Sequence, residues 1–479
     1  MDDRATTSRA SALPYGLMVL GLLVLVGSSG PGADDGPGGV GSSWIRAAAA
    51  DDDDPPPPAR DGQPPEEPTH GEDFPFEGPP DRWPLGPRQP FPTRSGLGRD
   101  TVRHQMSGRD PRADVAIDRA LRWLAAHQSP DGRWEAGGFH HWCDGKPSTD
   151  EQPIDGQGKP LYDVGVTGLA LSAYLGAGYT NRGDHEYAKT VGRGLKYLKD
   201  VQDPEGCFGA RSSQQYGYNH AAASLAMVEA YGMTESPIFK WTAQRAVEFI
   251  AQARNPYFAW RYGIQPGDND TSITGWMGSV VMSARTINAA AIASGRPAPL
   301  VLEDTPTVDG IRNWLDKATD METGRVGYVQ RGTGPARPAG LVDRFPAERS
   351  ESMTAVGVLM RIYGREHPAK SEIIQKGVKL CLDHLPVWNL IDGSIDMAYW
   401  HFATEALHQV GGDAWATWNA ALQKALVDTQ RQDTDACLFR GSWDPVGPWG
   451  PDGGRVYSTA MMTLCLEAPY RYARIWTDE

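Results

Sequence analysis

The stretch AIDRALRWLAAHQSPDGRWEA, residues 116–136, decides the fold. Apolar residues recur in its first part every three or four positions, which predicts an amphipathic helix. The pair Asp131 and Gly132 then predicts a turn, because glycine accepts the positive φ that ends a helix. A second, more apolar run follows at residues 165–180, and Thr167 is its expected N-cap. The unit is therefore a helix, a turn ending in an aromatic residue, and a second helix.

This pattern occurs about six times along the chain. The apolar helix of one unit cannot be buried alone, so neighbouring units must stack. The second helices are rich in Ala, Ser, Gly and Thr, which permits close approach in an inner ring. The sequence therefore predicts an all-α fold, an α/α toroid of about six helix hairpins closed into a barrel, with an open solenoid as the alternative. The apolar anchors of the first helices are 44 to 74 residues apart: Leu124, Leu198, Ile250, Leu315, Leu382 and Leu426.

The N-terminal part has a different composition. Residues 13–26, LPYGLMVLGLLVLV, follow Arg4 and Arg9 and precede small residues. The run is short for a membrane span of about 20 residues and is typical of a secretory signal. We therefore predict a signal peptide or N-terminal membrane anchor at residues 1–30. The expected localisation is exported: periplasmic, cell-envelope or membrane-anchored.

Residues 31–110 are predicted to be a disordered acidic Pro-rich linker. The segment has 16 prolines between Pro31 and Pro92 and 15 acidic against 8 basic residues. Few apolar residues and excess charge do not offset the entropy of ordering a chain. The toroid is then expected to occupy residues 111–479.

Charge and cysteine content exclude some functions. The net charge is -14 and no Lys and Arg cluster is found, which argues against nucleic acid as a partner. The cysteines are scattered and form no CxxC pair, so neither a disulfide framework nor a zinc knuckle is expected. Cys381 and Cys465 lie in apolar runs and are predicted to be buried thiols. The five are Cys143, Cys207, Cys381, Cys437 and Cys465.

The turns resemble a known family repeat. QSPDGRW at residues 128–134 matches the QxxxGxW repeat of squalene–hopene and oxidosqualene cyclases, and QDPEGCF at residues 202–208 is similar. Gln430 with Gly441 and Trp443 forms an expanded copy. Protein prenyltransferase β-subunits share the same toroid. The resemblance implies the superfamily's fold, with the Gln and Trp side chains bracing helix ends, and leaves the activity open.

This resemblance extends over about residues 114–475 and suggests two chemistries. Type II cyclases protonate an alkene with the central Asp of a DxDD motif. Aligned on Asp270-Thr271, that motif falls on Gly267, Asp268, Asn269 and Asp270, so an amide replaces the proton donor. Asp270 is the best catalytic candidate, with Asp268 as the candidate in a shifted register, and a helix N-cap is the alternative role for Asp270.

The second chemistry is the zinc site of prenyltransferases, which the resemblance implies would use an Asp, a Cys two residues later and a downstream His. Asp435 and Cys437 have this spacing, but no His follows Cys437. A second cluster of metal-ligand types, HHWCD at residues 140–144, is interpreted as a polar loop. We therefore predict no metal site and no cofactor.

A third chemistry is carbohydrate cleavage, because α/α barrels also host glycosidases, which need paired carboxylates. The function then remains either a binding toroid, with a lipid or glycan as its possible ligand, or an enzyme acting on an isoprenoid lipid or a polysaccharide. Whether it is an enzyme is uncertain, and the oligomeric state is left open. The candidates for lining one mouth of the barrel are Asp163, His220, Trp260, Trp276, Glu351, Asp396, Tyr399, His401 and Tyr457.

Overall fold

Helices account for nearly all of the regular structure. The computed structural model describes residues 89–94, 96–105, 110–143, 146–147, 155–213, 215–432 and 437–476, so the predicted signal segment and most of the predicted linker lie outside the described residues. Within these ranges the α-helices are α1 (Gly96–Gln105), α2 (Arg112–Ala126), α3 (Asp163–Gly176), α4 (Ala188–Val201), α5 (Tyr216–Thr234), α6 (Pro237–Ala253), α7 (Thr271–Ala293), α8 (Asp304–Ala318), α9 (Ser352–Tyr363), α10 (Glu372–Leu382), α11 (Met397–Val410), α12 (Gly412–Val427) and α13 (Gly450–Arg471).

The helices form a closed double ring. The odd-numbered helices from α3 to α13 each contact the next one, and α13 contacts α3, so the inner ring is closed. The even-numbered helices from α2 to α12 pack outside it, and α12 contacts α2. Helices α2 to α13 therefore form six hairpins, which confirms the predicted α/α toroid. The inner helices all begin at one opening, called the N-terminal mouth, and end at the C-terminal mouth.

Small residues let the inner helices approach closely. Every residue of α3 from Gly165 to Gly176 is buried, and a Cβ on Gly168 would lie 2.5 Å from the backbone of Ala222 on α5. Such packing leaves no solvent-exposed face on α3 between Gly165 and Gly176. This contact confirms the prediction that small residues in the second helices permit close approach in the inner ring.

Glutamine side chains connect neighbouring hairpins. Gln128 donates from Nε2 to the carbonyl oxygen of Gly132 at 2.8 Å and to that of Thr190 on α4 at 3.0 Å. Gln430 makes the corresponding bonds, at 2.9 Å to Gly441 and at 2.7 Å to Ala116 on α2. The bond to Ala116 joins the last hairpin to the first across the ring closure.

Tryptophan side chains cap the outer helices at the same turns. Trp134 Nε1 donates to the carbonyl oxygen of Leu124 at 2.7 Å. Trp443 makes the corresponding bond to Leu426 at 2.9 Å. The predicted bracing role of Gln and Trp is thus confirmed. The glycine of the motif is required by space, because Gly132 has φ +99° and a Cβ there would lie 2.3 Å from the carbonyl oxygen of Arg193.

Two boundaries differ from the predictions. The linker was expected to reach residue 110, but the structure has helix α1 at Gly96–Gln105 and an ordered segment at residues 89–94 before it. Helix α3 begins at Asp163, four residues before the expected N-cap Thr167. The Thr167 hydroxyl instead accepts from the backbone N–H of Trp134 at 2.9 Å and fixes the turn against the inner helix.

The cysteines divide into one pair and three single thiols. Cys143 lies in β1 (Trp142–Cys143), which pairs antiparallel with β2 (Lys146–Pro147), and forms a disulfide with Cys437. Cys381 and Cys465 are buried free thiols, as predicted, and Cys207 is a third. None of the described helices is long and apolar enough to cross a membrane.

Candidate functional site

The N-terminal mouth collects acidic side chains from the starts of several inner helices. Asp270 caps α7, where its Oδ1 accepts from the N–H of Ile273 at 2.8 Å and from the hydroxyl of Ser272 at 2.9 Å. This confirms its predicted role as an N-cap, which satisfies helix N–H groups that lack partners. The side chain is fully buried, so Asp270 lies beneath the surface of the mouth.

The second oxygen of Asp270 faces an arginine. Oδ2 lies 3.6 Å from Nη1 of Arg261, and both atoms are buried without a hydrogen-bond partner in the described part of the chain. Asp268, largely exposed, pairs with Nε of the same arginine at 2.9 Å. Asp268 is therefore an outer contact of Arg261, whereas Asp270 lies behind it.

Three tyrosines complete this group, here called the tyrosine cluster: Tyr218, Tyr262 and Tyr328. The hydroxyls of Tyr262 and Tyr328 lie 2.6 Å apart, and that of Tyr218 bonds to Ser272 at 2.5 Å. The guanidinium carbon of Arg261 lies 4.9 Å and 5.5 Å from the ring centres of Tyr262 and Tyr328. All three tyrosines are half-buried. Sequence reasoning did not find them, because they come from three separate segments.

The acidity of Asp270 follows from its burial. Desolvation raises the pKa of this carboxyl to about 6, against the opposing effects of its helix N–H bond and of Arg261. Burial also raises the pKa of Tyr262. Asp270 therefore changes its charge near neutral pH, and perturbed carboxyls of this kind are frequent at functional sites.

Asp163 has a similar environment at the start of α3. Its Oδ1 accepts from the N–H of Ala136 at 2.8 Å, and Arg133 lies 3.9 Å from its Oδ2. Burial raises the pKa of this carboxyl to about 6. Asp163 thus serves both as a helix-start residue and as an acceptor for the preceding turn.

Glu351 and Asp396 are held by arginines at the starts of α9 and α11. Glu351 binds Nε of Arg325 at 3.0 Å. Asp396 caps α11 by accepting from the N–H of Tyr399 at 3.1 Å, and its Oδ2 lies 3.1 Å from Arg337. Both carboxylates are almost fully buried. Their charges are neutralised within the protein, so they contribute to holding loops in place.

The remaining candidates pack against neighbouring side chains. His220 is fully buried and accepts from the N–H of Phe208 at 3.2 Å. Trp260 is also fully buried and donates to the carbonyl oxygen of Ile250 at 2.8 Å. The hydroxyl of Tyr399 donates to the carbonyl oxygen of Cys381 at 3.0 Å.

Trp276 and His401 stack on each other on the inner ring, with ring centres 5.3 Å apart and planes at 13°. Burial lowers the pKa of His401 to about 3, so this imidazole is neutral at physiological pH. Tyr457 on α13 is half-buried. Of these candidates, Trp276 and Tyr457 keep part of their surface exposed, while the others are enclosed.

The interior near the C-terminal mouth holds a charged network that sequence reasoning missed. Glu229 on α5 accepts from both terminal nitrogens of Arg94 at 2.8 Å and from Arg471 at 3.2 Å. Glu467 on α13 and Glu405 on α11 are buried nearby. Arg94 belongs to the ordered segment before α1, so that segment fills this end of the ring. The two best-defined cavities each hold about one water molecule, and Asp270 lines neither of them.

The comparisons with known proteins agree with this fold. No protein-family model matches the chain. It is 25% identical over 198 residues to squalene–hopene cyclase of Bradyrhizobium diazoefficiens, a match that covers 38% of this chain and 28% of the cyclase. It is 26% identical over 154 residues to dammaradiene synthase of Dryopteris crassirhizoma, covering 30% of this chain and 22% of the synthase. The chain is a squalene cyclase-like α/α toroid.

This toroid matches less than a third of the length of either relative. Among solved structures, an α-1,6-mannanase of a Salegentibacter species in complex with α-1,6-mannotriose is 11% identical, with a TM-score of 0.48, and the match covers 75% of this chain and 99% of that one. A type II terpene cyclase from Scytonema is 13% identical, with a TM-score of 0.44, covering 75% and 98%. Both TM-scores lie below 0.5, so neither structure bears on the chemistry of this chain.

The position that matches a cyclase proton donor holds Asn269 in this squalene cyclase-like toroid. Its Oδ1 accepts from Nδ2 of Asn255 at 3.1 Å, and the side chain is buried. An amide supplies no acidic proton. Acid catalysis at this mouth would therefore have to use a carboxyl group, and burial raises the pKa values of both Asp270 and Asp163 to about 6.

Proposed function

We propose that the chain is an exported toroid that binds a hydroxyl-rich ligand, of the glycan class, at its N-terminal mouth. The observation that carries the proposal is the tyrosine cluster around Arg261, where Nη1 of Arg261 and Oδ2 of Asp270 face each other at 3.6 Å and neither makes a hydrogen bond among the described residues. A buried donor or acceptor without a partner costs about 1–3 kcal/mol. A ligand hydroxyl or an ordered water that contacts Arg261 would offset that cost.

The chemistry of the cluster favours a glycan over an isoprenoid lipid. Arg261 retains 23% of its side-chain exposure, and the half-buried tyrosines place their hydroxyl groups and aromatic rings beside it. Sugars use such combinations of stacking and hydrogen bonding. An isoprenoid would need a mostly apolar pocket, whereas this cluster presents a guanidinium group and three hydroxyl groups.

Two observations support export. The apolar run at residues 13–26 follows Arg4 and Arg9, as secretory signals do. The disulfide between Cys143 and Cys437 is typical of proteins in oxidising compartments. The test is to locate the full chain by cell fractionation and to determine its N-terminal residue by mass spectrometry.

The binding proposal is tested on the purified chain with a panel of neutral and acidic oligosaccharides, using calorimetry to measure Kd. We expect Arg261→Gln to weaken binding at least about tenfold, the equivalent of roughly 1.4 kcal/mol. Arg285→Gln is the matched control, because Arg285 is similarly buried but pairs with Asp304 on α8, away from the tyrosine cluster. Absence of binding at millimolar sugar, or equal loss in both variants, would contradict the proposal.

The second candidate function is an enzyme that uses Asp270 as an acid. It is favoured by the raised pKa of Asp270, about 6, which suits proton transfer near neutral pH. The test is turnover of the same oligosaccharides and of squalene, compared with Asp270→Asn. Product formed by the wild type and lost in the variant, with retained helicity, would establish the enzyme.

A further inference from the structure

Two motifs that are far apart in the sequence meet where the first and last hairpins join and close the ring, a place called the seam below. Cys143 lies between α2 and α3, and Cys437 lies 294 residues later, before α13. His127 ends α2 beside them. One ring nitrogen of His127 and the two sulfur atoms all lie within 4.8 Å of one another. Asp144, which follows Cys143, and Asp435, two residues before Cys437, lie outside the described residues.

The imidazole of His127 is held in a fixed orientation. Its Nδ1 lies 2.7 Å from the carbonyl oxygen of Trp123, and the indole of Trp123 stacks on it with ring centres 4.3 Å apart. A carbonyl oxygen only accepts hydrogen bonds, so Nδ1 carries the proton and Nε2 carries the lone pair. Histidine ligands of metals are commonly oriented by this kind of Nδ1–H bond to a backbone carbonyl.

We propose that, once the disulfide is reduced, His127, Cys143 and Cys437 bind one zinc-class divalent cation. Two thiolates and an imidazole are a donor set suited to zinc. Tetrahedral zinc bonds would place these donor atoms about 3.5–3.8 Å apart, within the separation that the structure allows. Three protein ligands leave the fourth position for water or a small ligand.

This donor set differs from the prenyltransferase pattern, which needs an Asp and a downstream His, and shares only the cysteine position. It also spans the first and last hairpins. The seam of the ring is therefore closed either by a covalent sulfur–sulfur bond or by a metal ion, according to the redox state. The inference is independent of ligand binding at the tyrosine cluster.

Conversion from the disulfide-bonded to the metal-bound state begins with reduction of the disulfide. A phosphine reductant gives two electrons to the disulfide, which becomes two thiols, and the phosphine takes the oxygen of one water to become a phosphine oxide. The two protons from that water complete the thiols. Binding of the divalent cation then displaces both thiol protons, as metal binding to cysteine requires.

The experiment uses the full chain, treated with phosphine, freed of reductant without oxygen and titrated with Co²⁺. We expect one equivalent to give the visible bands and sulfur-to-metal charge-transfer absorption of tetrahedral thiolate cobalt, both removed by Zn²⁺. The untreated, disulfide-bonded protein should give neither. Cys143→Ser and His127→Gln should weaken Co²⁺ binding by more than about 100-fold, because each removes a ligand of the metal and loss of a hydrogen bond to a ligand can by itself cost about that much.

Cys207→Ser is the matched control, because Cys207 is also buried but is a free thiol of another hairpin, and it should bind Co²⁺ like the wild type. Protection against alkylation, read by mass spectrometry, keeps the test valid if a variant fails to fold: Zn²⁺ should shield Cys143 and Cys437 in the wild type. No thiolate bands in the reduced wild type, bands that persist in Cys143→Ser, or unshielded thiols would each overturn the proposal.

Discussion

The buried carboxyl of Glu467 makes the stability of the toroid fall as pH rises from about 4.5 to about 8. The side chain is fully buried, and neither of its oxygens has a hydrogen-bond partner among the described residues. Desolvation raises the pKa of Glu467 to about 8, against the opposing charges of Arg99, Arg471 and Arg94. In the folded protein the carboxyl is therefore neutral at pH 6, whereas in the unfolded chain it is ionised.

The size of the change in the free energy of unfolding with pH follows from proton linkage. The pKa of Glu467 rises from 4.5 in the unfolded reference to about 8 in the fold, and each pH unit of difference corresponds to about 1.4 kcal/mol. The folded state binds the additional proton, so stability falls as pH rises from 4.5 to 8. The full loss is on the order of 5 kcal/mol above pH 8. Glu467→Gln has no such titration, so its advantage over the wild type should grow with pH by this amount.

The assay is urea unfolding of the wild type and of Glu467→Gln at pH 5, 6, 7, 8 and 9, followed by circular dichroism. The control is Glu322→Gln, which changes an exposed glutamate and should differ from the wild type by the same amount at every pH. Glu405, whose pKa burial raises to about 7, is present in all three proteins and cancels in the differences. A difference between Glu467→Gln and the wild type that stays constant from pH 5 to pH 9 would refute the reasoning.

Two further predictions concern the ring closure and the charged network. Gln430→Ala removes one hydrogen bond to Ala116 in the first hairpin and one to Gly441 within the last hairpin. It should lower the free energy of unfolding by about 2 kcal/mol, measured by urea titration. Gln375→Ala, which removes an exposed hydrogen bond, should have little effect, and equal losses in the two variants would contradict a special role for the ring closure. Glu229→Gln leaves the buried Arg94 and Arg471 without their shared carboxylate and should lower the free energy of unfolding by about 3–5 kcal/mol at pH 7. Burial would raise the pKa of Glu229, but the two arginines lower it to about 2, so the difference between variant and wild type should shrink as pH falls from 4.5 towards 2. A difference that does not change over this pH range would count against the ion pair.

Much of the fold could be predicted because its signals are local. The helical periodicity around Leu124, the glycine turn at Gly132 and the small residues of the inner helices each describe a single hairpin, and six such hairpins follow in order. The cap formed by Asp270 was also predictable, because an N-cap needs only the residues that follow it. Even here the N-cap of α3 is Tyr162, five residues before the predicted Thr167, since Thr167 bonds to the turn at Trp134 across the hairpin.

The site and the seam depended on contacts between distant segments. Tyr218, Tyr262 and Tyr328 come together only because α5, the loop before α7 and the loop after α8 adjoin in the ring. Cys143 and Cys437 meet only because the ring closes.

The sequence by itself therefore determined the hairpins, their number and their apolar faces, since these depend on spacing along one helix or turn. Tertiary structure alone decided which carboxylates are buried together and which have partners. Glu229 and Glu467 are both glutamates on apolar inner helices, yet the pKa of one falls to about 2 and that of the other rises to about 8. The difference is the position of Arg94 and Arg471: their guanidinium groups bond directly to Glu229, whereas desolvation outweighs their attraction for Glu467, and no local pattern encodes those positions.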